Sequence, residues 1–559
     1  MITPVEALEK CKKHIKKEWK LAFVSAFVIG LLVHLPIMLS DIPNHDGLSS
    51  MHFDQNMITS GRWFLTVACG LSSYFTLPWM IGILALLYLA CTAVVLTELL
   101  ELRDKLVIVL VSGLLVVFPA VASTFAYVFT MDGYMMALFL AVLSVYLVGK
   151  YKYGFVAGGV CLAFSMGIYQ AYLPFAIILC IYMIALLCME KDGIKAIIQS
   201  ALKYLYMGGI GVVLYYVILQ ILLKIQGKEL ASYQGISGMG GENASGVGIL
   251  GTLKEIYLDF AVFTLKGNVF FNNIFSMVAL LALVAVFAGI LIFYVVKRKW
   301  WKNPGFFVIM GLLLVGLPFA TNIILLISPN VTYHLLMRYQ WVLYLILMIG
   351  FVHKFSRAHM KVGTEEGMPG EVARGMNEAL TESLADKASK EGAVAQNLPE
   401  NVAVMVQWLV TVAAAVLLFN YAITDNIGYS NLEKRYEKTY AYCVRLLDRM
   451  EQAEGYYQGI PIAIVGIVGY DEFPDTDITT DVTGGMIGLS GETLLYTADN
   501  YETFMKNYLG ATLNFLDVET VGQIYYTDEY IAMDTFPGEN SVKVVDGILY
   551  VKTENVGRD

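Results

Sequence analysis

Residues 10–20 read KCKKHIKKEWK, residues 21–40 read LAFVSAFVIGLLVHLPIMLS, and residues 41–54 read DIPNHDGLSSMHFD. The first stretch holds six lysines, and the second has no Asp, Glu, Lys or Arg. About 20 apolar residues span a bilayer, and basic flanks stay on the cytoplasmic side. The order basic, apolar, acidic therefore predicts a membrane helix over 21–40 that delivers Asp41, Asp46 and Asp54 to the outer face. The run is too long, and lacks the small-residue end, to read as a removable signal peptide.

The rest of the 559 residues agrees with a membrane setting. The chain is 57% hydrophobic and only 15% charged, with a mean hydropathy of +0.62. A soluble chain would carry about 25% charged residues. The seven cysteines, at 11, 69, 91, 161, 180, 188 and 443, show no CxxC or metal-type spacing. Neither a zinc site nor a disulfide framework is supported. The net charge of −9 conceals an asymmetry: residues 424–559 hold 9 Lys/Arg and 23 Asp/Glu, a balance of −14, which leaves +5 for the remainder. A basic membrane part with an acidic tail fits the positive-inside rule if the tail lies outside. No nucleic-acid partner is expected.

Eleven spans are predicted, near 21–40, 79–99, 106–123, 133–149, 154–169, 171–189, 201–223, 274–296, 305–327, 334–352 and 402–423. The even-numbered gaps carry Arg103 and Lys105; Lys150 and Lys152; Lys191 and Lys195; Lys297, Arg298, Lys299 and Lys302; then Lys354, Arg357 and Lys361. The odd-numbered gaps are poorer: Arg62 in the first, none in the second or third, and Lys224, Lys228, Lys254 and Lys266 in the long fourth. This alternation predicts the N-terminus inside and the C-terminus outside.

The predicted organisation is a basic cytoplasmic N-terminus (1–20), a transmembrane module (21–352), a cytoplasmic loop (353–401), a last span (402–423) and an outer domain (424–559). The first outer loop is 41–78, and its second half, Asn56–Tyr74, is expected to lie along the interface as an amphipathic helix. Segment 353–401 has the composition of a flexible or loosely helical linker. The long outer loop 227–273 begins with the Gly- and Ser-rich run Tyr233–Gly241, expected as a mobile lid. It has no preceding strand and no following lysine of a phosphate loop. In the tail, Leu432, Tyr436, Tyr440, Val444 and Leu447 have helical spacing, Pro461–Val468 reads as a buried strand, and Val542–Lys552 reads as a hairpin turning at Asp546-Gly547. A small α/β domain follows.

Several outer-loop residues are of types that carry chemistry. Asp41, Asp46 and Asp54 lie beside His45, His52 and Arg62. Glycosyl transfer to a hydroxyl needs a base for its proton and a cation or dipole for a leaving phosphate. A carboxylate at the membrane surface suits the first role, and Arg62, by bidentate contact, the second. The plainer alternative is a wet loop that happens to contain acids. Irregular loop spacing makes the two histidines surface residues rather than metal ligands. Asp132, the one acid of the second outer loop, stands at the mouth of a span among aromatic residues. It is either functional or a helix N-cap. Tyr169 and Gln170 form the third outer turn, where the amide binds a ligand or pins helices together. Lys266 and Arg338 are candidate phosphate partners or simply snorkelling cations.

Taken together, these elements resemble the bacterial serotype-converting glucosyltransferases (Gtr type II-like), integral membrane enzymes of GT-C type. The resemblance covers roughly 20–420 and is carried by the acidic loop with Asp46 followed by Gly61-Arg62-Trp63, by Asp132 with its apolar helix, and by Ser165-Met-Gly-Ile-Tyr169-Gln170. It implies a GT-C-like fold, a polyprenyl-phosphate-linked glucose donor, and inverting transfer to an extracytoplasmic cell-envelope glycan. It assigns the key acid to Asp46 first, with Asp54 and Asp41 behind it, sets Arg62 toward the donor phosphate, and lines the pocket with Asp132, Tyr169 and Gln170. Asp46 is followed by Gly47 rather than a second acid. A cationic clamp from Arg62, Lys266 or Arg338 replaces a metal ion, so no cofactor is expected.

The rival readings are a transporter or flippase of lipid-linked sugars, a GT-C enzyme for another sugar, and a non-enzymatic envelope assembly protein. Transporters place ionisable sites at mid-membrane, whereas the acids of this membrane part map to loop ends.

Overall fold

The computed structural model describes residues 3–49, 56–70, 77–190, 194–231, 248–297, 299–302, 304–328, 331–356, 399–465, 486, 488–489, 494–495 and 497–553. The membrane part comprises α1 (Pro4–His14), α2 (Lys17–Leu39), α3 (His45–Ser49), α4 (Leu65–Ala68), α5 (Pro78–Leu99), α6 (Lys105–Val117), α7 (Pro119–Phe125), α8 (Met131–Lys150), α9 (Gly154–Ile168), α10 (Leu173–Glu190), α11 (Ile194–Gln226), α12 (Ile249–Lys266), α13 (Ile274–Lys297), α14 (Pro304–Thr321), α15 (Ile324–Ile327) and α16 (Val342–Ser356). Helix α17 (Glu400–Glu451) leads into the tail.

Among the described residues, nine helices are long and apolar enough to cross a membrane, and α6 with α7, bent by 45°, makes a tenth. The eleven expected spans fall on helical segments, 106–123 on the bent pair α6 and α7 and 305–327 on α14 followed by α15. The exception in length is 154–169, which falls on the 15-residue α9. At 1.5 Å per residue it reaches about 22 Å, short of a ~30 Å hydrocarbon core. Tyr169 then takes an extended conformation (φ −156°) before the next span begins at Gln170.

Small residues let these helices approach closely, as membrane helices require where lipid offers no hydrophobic drive. A Cβ on Gly82 would lie 2.5 Å from Met38 Cγ, and one on Gly30 2.6 Å from Leu86 Cδ2, so α2 and α5 meet along these glycines. One end of the bundle gathers charge: Lys16 pairs with Glu98 at 2.5 Å, Arg103 with Glu98 at 3.9 Å, and Lys354 with Glu101 at 3.3 Å. Cations of the N-terminal segment and of two of the expected basic gaps, Arg103 and Lys354, meet here.

The opposite end holds the turns after α2, before α8 and between α9 and α10. Residues 56–70 are not the interfacial amphipathic helix expected. Met57 bridges Arg62, a single 3₁₀ turn covers Ile58–Ser60, and Gly61 at φ +79° ends it in the left-handed region that stops a helix. Ile58, Trp63, Leu65 and Cys69 are buried in protein, not lipid. Helix α12 lies in the long fourth gap, where a loop was expected, and packs on α14 and α15. The lid run 233–241 and most of the 353–401 loop lie outside the described residues.

Helix α17 runs 52 residues without a break, so the expected boundary at 424 falls inside a helix. The tail adds α18 (Ala498–Leu509), α19 (Val518–Ile524) and α20 (Asp528–Ile531) to a four-stranded sheet. Its strands are β1 (Pro461–Val465), β2 (Asn514–Phe515), β3 (Val542–Val545) and β4 (Ile548–Lys552), ordered β2-β1-β4-β3. β1 runs parallel to both neighbours, and β3 and β4 form the expected hairpin, with Asp546 (φ +48°) and Gly547 (φ +79°) in its turn. The expected small α/β region is therefore present.

Candidate active site

The three sequence motifs, far apart in the chain, meet at the end of the bundle opposite the Lys16–Glu98 pair. Trp63 lies over Gly167: a Cβ there would sit 2.5 Å from Trp63 Cε2. The Phe64 N–H donates to the Gly167 carbonyl at 2.7 Å. Phe164 closes the aromatic packing, 5.4 Å from the Trp63 ring and 4.7 Å from that of Phe64. The first outer segment is thereby locked onto the end of α9. Gly133 meets it from the other side, since a Cβ there would be 2.5 Å from Cys69 Sγ.

This docking aims Arg62. Its Nη1 donates to the Tyr134 hydroxyl at 3.1 Å, and its guanidinium lies 4.9 Å from the Tyr169 ring centre. Tyr134 and Tyr169 stack, with centroids 4.1 Å apart and planes 4° from parallel. A guanidinium over a stacked tyrosine pair keeps its charge while its plane is fixed. Arg62 is half-buried, and an anion reaching it would meet a pre-oriented cation.

Gln170 acts as a pin. It is 6% exposed, and its Nε2 donates to the Ser60 carbonyl at 3.2 Å and to the Tyr215 hydroxyl at 2.9 Å. Tyr215 in turn donates to the Gly61 carbonyl at 3.1 Å. The turn that carries Arg62 is therefore tied to α11. Tyr134 and Tyr215 belong to this site and were not singled out in the sequence. Tyr134 stands two residues after Asp132 on the same helical turn, which was its available signal. Tyr215 sits amid an apolar span and gave none.

The acids separate. Asp46 is exposed in the first turn of α3, and its charge is felt, more weakly than that of Arg62, at the Tyr134 hydroxyl. Asp132 is 1% exposed, accepts from the Gly133 N–H at 2.8 Å, and acts electrostatically on Tyr88 of α5. It is the second residue of α8 rather than its cap, which is Thr130. Asp41 is exposed, and its carbonyl accepts from Tyr508 at 3.3 Å. Asp54 and His52 lie outside the described residues. Among the described residues no three His, Cys, Asp or Glu side chains group as a metal site.

The other two cations belong to α12 and its contacts. Lys266 is exposed at the C-terminal end of α12, where a cation complements the helix dipole. Arg338, 7% exposed, grips Asp259 of α12 with both Nη groups at 2.7 and 2.8 Å and donates from Nε to the Tyr333 carbonyl at 3.0 Å. Three of its five N–H donors are thereby used. Tyr333 and Phe263 cover it, with ring centres 3.9 and 4.4 Å away. Its geometry is that of a helix-joining ion pair. Asp259 was missed because its loop was read as irregular, although Ile256, Phe260 and Phe263 have helical spacing.

The family model described as Glucosyl transferase GtrII matches residues 35–355, a stretch that contains all three motifs and the cluster they form. No curated protein and no solved structure matches the chain. The match covers more than half of the sequence, and the helices around it are those of a multi-pass membrane protein. The chain belongs to the GtrII glucosyl transferase family.

Proposed function

We propose that this membrane glycosyltransferase takes glucose from a polyprenyl-phosphate-linked donor and transfers it, with inversion, to a hydroxyl of a cell-envelope glycan on the outer face of the bacterial plasma membrane. The observation that carries the proposal is the convergence of Gly61-Arg62-Trp63, Asp132-Gly-Tyr134 and Gly167–Gln170 around one oriented guanidinium, on the end of the bundle that also carries the exposed Asp46. The opposite end of the bundle carries Lys16, Arg103 and Lys354 in ion pairs. By the positive-inside rule this supports the reading of Arg62, Asp46 and the tail as lying outside.

In the proposed step the acceptor oxygen attacks C1 of the glucose. The bond between C1 and the donor phosphate oxygen breaks, and its electron pair stays on the phosphate. Asp46 takes the acceptor proton. Arg62 faces the leaving phosphate at headgroup depth, where low dielectric strengthens its attraction for the developing charge. Tyr134 and Tyr169 hold its plane. Asp132, buried at the start of α8 two residues before Tyr134, is read as lining the base of the site. Lys266 is kept as a second phosphate partner. The catalytic module is read as GT-C-like, with the cationic clamp in place of a metal ion.

The test uses the purified full chain in nanodiscs with polyprenyl-phosphate glucose and an extracted envelope glycan. Transfer with inverted anomeric configuration, undiminished by EDTA, is the expected result. Transfer from a nucleotide sugar instead, movement of the lipid across the bilayer without sugar transfer, or loss of turnover on EDTA with recovery on manganese would each overturn a part of it.

A further inference from the structure

Helix α3, which carries Asp46, has five residues. A helix this short cannot hold itself together in water, so its order must come from what surrounds it. Asn44 supplies the internal part. Its Oδ1 accepts from the Gly47 N–H at 2.7 Å, and its carbonyl accepts from the Leu48 N–H at 3.2 Å. Asn44 is itself 1% exposed, and part of its cover belongs to the tail. A Cβ on Gly488 would lie 3.1 Å from Asn44 Nδ2, 3.2 Å from Ala126 Cβ and 3.3 Å from Tyr127 Cε2. Gly488 has φ +82°, a conformation that glycine adopts without strain. The Leu489 N–H closes the turn onto the Met486 carbonyl at 2.9 Å. Both side chains are buried and lie over Gly428 of α17. This turn is thus wedged between the first outer segment, the second outer segment and the long helix.

The tail makes a second contact. Tyr508 of α18 donates to the Asp41 carbonyl at 3.3 Å, just before α3. Its ring is set by Tyr436 at 5.4 Å and Phe504 at 5.0 Å. Burial first, and the Asp41 charge second, push the Tyr508 phenol well above its ordinary range. It therefore stays a protonated donor at any physiological pH.

We propose that the C-terminal domain is a clamp that positions Asp46, acting through Gly488 on Asn44 and through Tyr508 on Asp41. Gly488 and Tyr508 are positioning residues: they meet Asn44 and the Asp41 carbonyl, while Arg62 is aimed by Tyr134 and Tyr169 of the membrane helices. The catalytic consequence, though not the clamp, rests on the reading of Asp46 as the base.

The test is amide hydrogen exchange on the full chain in nanodiscs, comparing wild type with Gly488→Val, Gly488→Ala and Tyr508→Ala. The Gly47 and Leu48 amides are expected to exchange at least about tenfold faster in the variants, as local opening becomes easier. Amides of α8 and of strands β1 and β4 keep their protection. Turnover falls about tenfold or more in Gly488→Val while the donor KM stays near wild type, because only the placement of the base is lost. Unchanged exchange at Gly47 and Leu48 in variants whose tail strands remain protected would overturn the clamp. Should Gly488→Val unfold the tail, the other two variants decide in the same way. Faster exchange with full turnover would sustain the clamp and count against Asp46 as the base, so the two readings separate.

Discussion

The indole of Trp63 fills the space where Gly167 would otherwise carry a side chain, with Trp63 Cε2 2.5 Å from the position of a Cβ there. The two residues are about a hundred positions apart in sequence, yet this contact holds the Arg62 turn to α9. Gly167→Val is expected to push the indole out. Overpacking of this kind costs about 1–3 kcal/mol, and the resulting shift of Arg62 lowers turnover by about two orders of magnitude. Thermal unfolding in detergent, run beside a transfer assay, checks both. An unchanged midpoint and rate would mean that the turn docks by other contacts.

Arg62→Lys retains the charge and loses the planar fork that meets the Tyr134 hydroxyl and lies over the Tyr169 ring. Lysine cannot reproduce a planar cation that lies over a ring and donates a hydrogen bond in a fixed direction. Turnover is expected to fall about 10²-fold, with the midpoint of unfolding little changed. Initial-rate kinetics over donor concentration separate this from a loss of donor binding. Wild-type rates in the lysine variant would remove Arg62 from the phosphate site.

Asp259→Ala leaves the Arg338 guanidinium buried without its carboxylate. Breaking a buried pair costs about 3–5 kcal/mol. Asp259 is 29% exposed at its side chain, so the expected loss is smaller, about 2–3 kcal/mol after allowance for solvent screening. The thermal midpoint reads it. Restored stability in the double variant Asp259→Ala, Arg338→Met would confirm that the pair joins α12 to the bundle rather than serving the donor.

Asp425 on α17 is fully buried, and neither of its carboxylate oxygens has a hydrogen-bond partner among the described residues. An unpaired buried polar group costs about 1–3 kcal/mol. Asp425→Leu is therefore expected to raise the thermal midpoint without loss of turnover. A fall of several degrees would show that the carboxylate makes an interaction that holds the fold.

The spans and the hairpin at Asp546-Gly547 were legible because each is written locally, as about twenty apolar residues or as a two-residue turn between alternating strands. The motif residues Arg62, Tyr169 and Gln170 were legible as a set through their resemblance to one family, and their convergence needed the fold. Tertiary contact decided the rest. Residues 56–70 are amphipathic, but the surface they bury faces α8, α9 and α11 rather than lipid, and Gly61 breaks the helix. Arg338 reads in sequence as a lone cation near a span, and only the fold brings Asp259 to it. The tail's hold on Asn44 rests on a glycine more than 400 residues away, which no local pattern encodes.

The central claim is that Asp46 takes the proton of the acceptor hydroxyl. Asp46→Asn keeps the shape of the side chain and removes its basicity. Loss of a positioned general base costs about 10²–10⁴ in rate. Single-turnover transfer by the purified, correctly inserted Asp46→Asn protein is the direct measurement. The account predicts a loss of that size, with donor binding and thermal midpoint unchanged; wild-type turnover would contradict it.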